Sequence, residues 1–122
     1  LLRQRLNSAR NNLKIEKKTL KNTEKLNVSA TITNTGNTTG IETVQLYVHD
    51  ITGSIVRPIR ELKDFVQIEL KPKESKTVQF SIPVSELAFY NDKMELKVEP
   101  GDFKFWIASN ASNGLEGEFK VE

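Results

Sequence analysis

The 122-residue chain holds one histidine, His49, and no cysteine, so a reactive site would have to be built from carboxylates, lysines and hydroxyls. Lack of cysteine removes disulfides, thiolate nucleophiles and cysteine-bound metals together. A Ser-His-Asp triad or a histidine-rich zinc site needs an imidazole aimed into a pocket. His49 instead falls on the polar phase of an alternating strand, where a solvent-facing role is the simpler reading. Carboxylates are plentiful, and glycosidic chemistry needs two of them about 5 to 9.5 Å apart across a cleft. Glu61 and Asp64 stand three residues apart, but their cationic neighbours Arg57, Arg60 and Lys63 make ion pairing the expected use. Asp50 and Asp102 sit where strands run into turns, a position suited to backbone hydrogen bonding. No EF-hand spacing, phosphate-cradling glycine loop or nucleotide fingerprint occurs. Asn-x-Ser/Thr sequons at Asn27, Asn37 and Asn110 are expected by chance in a chain this rich in those residues.

Residues suited to recognition are a better lead than residues suited to catalysis. Tyr47 and Trp106 lie on the phase opposite the aliphatic residues of their own strands, and in an immunoglobulin-like sandwich those two strands share a sheet. An exposed aromatic face of that kind receives another protein domain or, with Tyr90 at one end, stacks on sugar rings. Cover by lysine stems and loops of the domain itself is the plainer alternative. The 57–65 segment adds a second set: Pro58 pre-orders the backbone, Arg57 and Arg60 carry forked donors, and Ile59, Leu62 and Phe65 supply apolar anchors. The expected docking residues are therefore Tyr47, Arg57, Pro58, Arg60, Leu62, Phe65 and Trp106, set against a loop that merely folds over its own sheet.

These residues are positioned by strands. Between Glu42 and Asp50, Val44, Leu46 and Val48 alternate with Gln45, Tyr47 and His49, a period of two that puts the aliphatics on one face. Leu26, Val28, Ala30 and Ile32 alternate against Asn27, Ser29, Thr31 and Thr33, a half-buried strand with a solvated outer face. Further alternating runs hold Leu13 and Ile15, then Val66, Ile68 and Leu70, then Val78, Phe80, Ile82 and Val84. Met94, Leu96 and Val98, then Phe103, Phe105 and Ile107, and last Phe119 and Val121 complete the series. Turn formers separate them at Asn34–Gly40, Lys71–Glu74 and Glu99–Asp102, and Ser85 is placed to cap a single helical turn. Seven to eight short strands with regular turn signals predict an all-β, antiparallel β-sandwich. Residues 1–11 differ: Leu2, Leu6, Ala9 and Leu13 have helical spacing, with Arg3, Arg5 and Arg10 between them. They read as a linker or an appended segment that docks weakly as a helix, leaving residues 12–122 as the domain.

Length allows one domain. A net charge of +2, from 18 basic and 16 acidic residues, supplies no electrostatic case for nucleic acid or an anionic membrane surface. No apolar run approaches the roughly 18 residues of a spanning helix.

Several stretches, taken in order, resemble one family. They are Asn34-Thr35-Gly36, Val44-Gln45-Leu46-Tyr47-Val48, Arg57-Pro58-Ile59-Arg60-Glu61-Leu62-Lys63 with Phe65, Leu70-Lys71-Pro72 with Glu74-Ser75, Leu87-Ala88-Phe89-Tyr90, and Glu99-Pro100-Gly101-Asp102-Phe103. Together, over about Asn12 to Glu122, they resemble the fibronectin type III-like C-terminal domain of family 3 glycoside hydrolases, the β-glucosidases and β-xylosidases. The resemblance implies an accessory sandwich packed against the catalytic domains of a longer enzyme, whose nucleophile and acid/base residue belong to those domains. None of their motifs occurs in this chain, so the resemblance implies no catalytic residue, no cofactor and no metal here. It implies that Arg57 to Phe65 faces the catalytic body. It is compatible with a bacterial enzyme in the periplasm, outside the cell or in the cytoplasm. The alternative function is a carbohydrate-binding module that stacks polysaccharide on Tyr47, Tyr90 and Trp106. Two departures stand out: Leu1 to Leu6 replace the family's aromatic, glycine-containing linker, and Asp64 stands where the family commonly has glycine.

Overall fold

The computed structural model describes residues 8–51, 60–87, 89–90, 96–98, 100–109 and 114–122. In chain order the strands are β1 (Ser8–Ile15), β2 (Thr19–Leu20), β3 (Lys25–Asn34), β4 (Gly40–Asp50), β5 (Glu61–Leu70), β6 (Ser75–Pro83), β7 (Phe89–Tyr90), β8 (Leu96–Lys97), β9 (Gly101–Ala108) and β10 (Leu115–Val121). A 3-10 turn, Val84–Leu87, follows β6, at the place where Ser85 suggested a helical turn. One sheet has the order β1-β3-β6 and the other β2-β10-β9-β4-β5, with β7 and β8 forming a separate short pair. All pairings are antiparallel except β2 on β10. The all-β, fibronectin type III-like sandwich is thus the observed architecture.

The core follows directly from the alternation. Leu26, Val28, Ala30 and Ile32 of β3 face Val44, Leu46 and Val48 of β4 between the sheets, and all are buried. The β9 and β10 phenylalanines close one region of this core: the rings of Phe103 and Phe119 stack at 5.0 Å, and Phe105 tilts against Phe119 at 6.1 Å. Gly117 sits opposite Phe105 in the β9–β10 register, and a Cβ there would lie 2.4 Å from the Phe105 ring. Glycine is needed because the ring occupies the space a side chain would take. Gly117→Ala is expected to cost about 1–3 kcal/mol by overpacking, read as a lowered urea midpoint. An unchanged midpoint would show that the ring can move aside.

Among the described residues, three polar ones are buried with the core: Asn34, Glu42 and Asp50. Asn34 ties three segments together. Its Nδ2 donates to the carbonyls of Thr38 at 2.8 Å and Leu70 at 3.1 Å, and its Oδ1 accepts from the N–H of Gly36 at 2.9 Å. Its backbone bonds Glu74 and Lys73 in the β5–β6 turn. Glu42 faces inward from β4 and meets Arg10 of β1, with 3.3 Å between Nη1 and Oε1.

The first strand departs from the expectation for residues 1–11. Residues 1–7 lie outside the described residues, but β1 starts at Ser8, and Ala9 and Arg10 pair with Thr33 and Ile32 in extended conformation. A helix of under about 12 residues is marginal without burial, whereas the open edge of β3 offers a full row of backbone partners. The strand carries one extra residue between Asn11 and Lys14, where Asn12 adopts a φ of 54°, a left-handed conformation that asparagine tolerates. Other differences are at run ends. Val66 is more exposed than its phase implies because β5 is a sheet edge, and Met94 lies outside the described residues, while Leu96–Lys97 of that run is strand.

The outer face of the three-stranded sheet is polar, with Lys25 opposite Pro83 at one end and Lys14 opposite Ser29 on β1. Its cross-strand pairs between β3 and β6 are Asn27 with Ser81, Ser29 with Gln79, Thr31 with Thr77 and Thr33 with Ser75. The Thr33 and Ser75 hydroxyls bond at 2.7 Å.

Charge enters at the edges. Lys17 Nζ bonds Glu24 Oε2, and Glu24 Oε1 also accepts from the N–H of Lys21. The Lys17 hydrogen bond, then that of Lys21, holds the Glu24 carboxyl below its ordinary 4.5. The Glu24 hydrogen bond and charge raise Lys17 above 10.5. A depressed acid contributes stability above its unfolded pKa that is lost as pH falls through the folded one, and a raised base loses its share as pH rises through the folded value. The pair therefore contributes fully between pH 4.5 and pH 10.5 and fades on either side. Because both groups are solvated, the effect is small. Glu24→Gln keeps the acceptor for Lys21 and removes the charge. Urea midpoints of the two proteins are expected to differ near pH 7 and to converge at strongly acid pH; a constant gap would contradict this.

Candidate functional site

The residues singled out for recognition come together on the outer face of the five-stranded sheet, with one change of character. Tyr47 of β4 and Trp106 of β9 are register partners, as are Gln45 and Ala108 in the next row. Both aromatics project outward as the alternation requires, yet they are only 8% and 7% exposed. The exposed aromatic face is therefore corrected: the pair is covered, and no open stacking platform for sugar exists at Tyr47 and Trp106. Arg60 contributes to the cover. Its guanidinium lies 4.4 Å from the Trp106 ring centroid and 5.5 Å from that of Tyr47, an arrangement worth about 0.5–2 kcal/mol. The polar ends are satisfied within the domain. Tyr47 Oη donates to Gln45 Oε1 at 2.9 Å, and Trp106 Nε1 donates to Glu116 Oε1 at 3.1 Å. The alternative weighed for this face, cover by the domain itself, is what the structure shows, with an arginine in the place given to lysine.

Exposure moves one strand outward, to β5 at the sheet edge. Glu61–Phe65 is not loop: β5 begins at Glu61. Leu62 pairs with Tyr47 and Phe65 with Gln45, so both project to the same outer face although they are three residues apart. An irregularity opposite Leu46 and Tyr47 makes this possible, since Asp64 pairs with Leu46 and Lys63 is the extra residue. Such a bulge resets the alternation by one. Leu62 and Phe65 are 47% and 60% exposed, whereas Val66, opposite Val44, lies on the other face of the strand. Arg60, Leu62 and Phe65 thus join Tyr47 and Trp106 on one surface, while Arg57 and Pro58 lie outside the described residues, as does the Tyr90 side chain.

The carboxylates behave as structural groups. Glu61 pairs with Lys63 at 3.4 Å, and Asp64 Oδ1 accepts from the N–H of Phe65 at 2.8 Å. His49, opposite Lys104, is half-buried rather than solvent-facing, with Nδ1 buried and no hydrogen-bond partner among the described residues. Among the described residues no three histidine, aspartate or glutamate side chains cluster as metal ligands. Sequence reasoning missed Asn34 and the Arg10–Glu42 pair. The available signal was parity: Asn34 continues the inward phase of Leu26 to Ile32, and Glu42 that of Val44 to Val48.

Comparison with known proteins adds the context. The chain matches the family model of the fibronectin type III-like domain over residues 42–111. It is 38% identical over 103 residues to a periplasmic β-glucosidase of Salmonella typhimurium, aligning 84% of this chain with 14% of that protein. To a β-glucosidase of Bacteroides ovatus it is 41% identical over 100 residues, 81% of this chain and 13% of that one. The crystal structure of a β-glucosidase from Listeria innocua superposes with a TM-score of 0.83 at 32% identity, covering 96% of this chain and 16% of the other. The chain spans only 13–14% of the length of the two curated relatives.

Proposed function

Because the chain belongs to the fibronectin type III-like domains carried by family 3 β-glucosidases and β-xylosidases, we propose that it is a non-catalytic accessory domain that packs on the catalytic domains of such an enzyme through the outer face of β5. The observation that carries this reading is the exposure of Leu62 and Phe65 on the same face as Arg60, in a domain whose other sheet aliphatics are largely buried. Apolar side chains rimmed by an arginine are what interface centres are enriched in. The covered aromatic pair beneath Arg60 provides a rigid base from which that strip projects. Stabilising and orienting the catalytic domains is the role of such a contact, and substrate turnover stays with them.

The test compares two settings. In the chain alone, Leu62→Ser with Phe65→Ser should change stability by no more than about 0.5 kcal/mol per site, as exposed substitutions do. In the parent enzyme the same pair should cost about 2 kcal/mol or more of domain-contact energy, read as a lowered thermal midpoint of the catalytic domains. Equal small effects in both settings would refute docking through β5. The chain alone is expected to leave 4-nitrophenyl β-glucoside and β-xyloside unhydrolysed; turnover that tracks with the purified chain would refute the non-catalytic reading.

A further inference from the structure

β5 is the last strand of the five-stranded sheet, with no strand beyond it among the described residues. Such an edge is a template on which another chain can add a strand. The stretch Phe65-Val66-Gln67-Ile68 suits that use, with one aromatic, two β-branched residues, no charge and no proline. Yet two side chains already hold the backbone around it. Asp64 Oδ1 accepts from the N–H of Phe65 at 2.8 Å, and Lys76 Nζ, reaching over from β6, donates to the carbonyl of Glu69 at 2.8 Å. Phe65, Gln67 and Glu69 have the same parity, so their N–H and C=O groups point to one side of the strand. Groups bonded to side chains are not spent on the β4 ladder, which makes that side the open edge.

We infer that Asp64 and Lys76 seal the edge of β5 against strand pairing with a second copy of this chain. The geometry names that occupant. Two β5 strands related by a two-fold axis at Gln67 would run antiparallel and set Phe65 of one copy opposite Glu69 of the other. Residues opposed in that register exchange N–H and C=O bonds, so the Phe65 N–H of one copy would meet the Glu69 carbonyl of the other. Those are the two groups that Asp64 and Lys76 occupy. Pairing would have to strip both side chains from the backbone, and would shut a carboxylate and an ammonium between strands without their partners. The extra residue at Lys63 adds a bend at one end of the same edge. The seal acts on backbone groups, so it is independent of docking through the Leu62 and Phe65 side chains.

The experiment removes both bonds at exposed positions, with Asp64→Ala and Lys76→Ala together, and follows sedimentation velocity over a range of concentrations. The double variant is expected to dimerise at least about tenfold more tightly than the parent chain, with hydrogen exchange at the Gln67 amide slowed in the dimer. Asp64→Asn with Lys76→Arg keeps an acceptor and a donor in place and should sediment as the parent chain does. Adding Leu62→Ser and Phe65→Ser to the alanine pair should leave the dimer intact. The inference is overturned if the alanine pair sediments like the parent chain, if its association leaves Gln67 exchange unchanged, or if the serine changes abolish it, which would assign self-association to the exposed face. It is overturned without any variant if Gln67 exchange in the parent chain slows as concentration rises, since the edge would then be open to pairing.

Discussion

Arg10→Ala is expected to destabilise the sandwich by about 3 kcal/mol, the lower end of the cost of removing one partner from a buried ion pair. The lower end applies because Glu42 is enclosed while Arg10 keeps part of its side chain in water. Glu42 lies on the inward phase of β4, paired with Ile68 across the sheet, and its carboxylate is enclosed. Arg10 comes from the other sheet, where its register partner is the buried Ile32. Their 3.3 Å contact therefore bridges the two layers. Truncating Arg10 leaves a largely enclosed carboxylate without its cation, a large share of a typical net stability of roughly 5–15 kcal/mol. Replacing both residues removes the uncompensated charge, so Arg10→Met with Glu42→Leu should return to within about 1 kcal/mol of the parent chain. Urea unfolding of the single and double variants gives the coupling directly. If Arg10→Ala costs under about 1 kcal/mol, Glu42 is not held by this pair.

Asn34→Ala should cost about 3 kcal/mol. Its side chain makes three hydrogen bonds, and the two it donates end on the carbonyls of Thr38 and Leu70. Removing the amide orphans the buried Leu70 carbonyl and frees the β3–β4 corner from the end of β5. Asn34→Asp is an informative companion, because a carboxylate still accepts from Gly36 but cannot donate to either carbonyl. It should be destabilised at neutral pH and partly recover in acid, where protonation restores one donor. Equal stability of the parent chain and Asn34→Ala in urea would mean that the corner is held by backbone bonds alone.

Both effects arise at positions where the period-two pattern continues past its aliphatic members. Glu42 and Asn34 hold inward parity but are polar, so they read at first as strand ends or turn formers. Their roles depend on partners 32 and 36 residues away, and no local rule names such partners. The first strand shows the same limit. Leu2, Leu6, Ala9 and Leu13 suit a helix by spacing, but the free edge of β3 captures Ser8–Ile15. Leu62 and Phe65 are a third case: three residues apart, they belong on opposite faces of a regular strand, and the extra residue at Lys63 brings them to one face.

Alternation with period two was enough to read off the paired sheets, the aliphatic core and the outward aim of Tyr47 and Trp106, because side-chain direction in a strand is a local consequence of backbone geometry. Covering Tyr47 and Trp106 with Arg60, bridging the layers through Arg10 and Glu42, and resetting β5 at Lys63 came from the three-dimensional assembly. Those outcomes depend on which strands become neighbours and in what register, which long-range pairing sets and residue order leaves open.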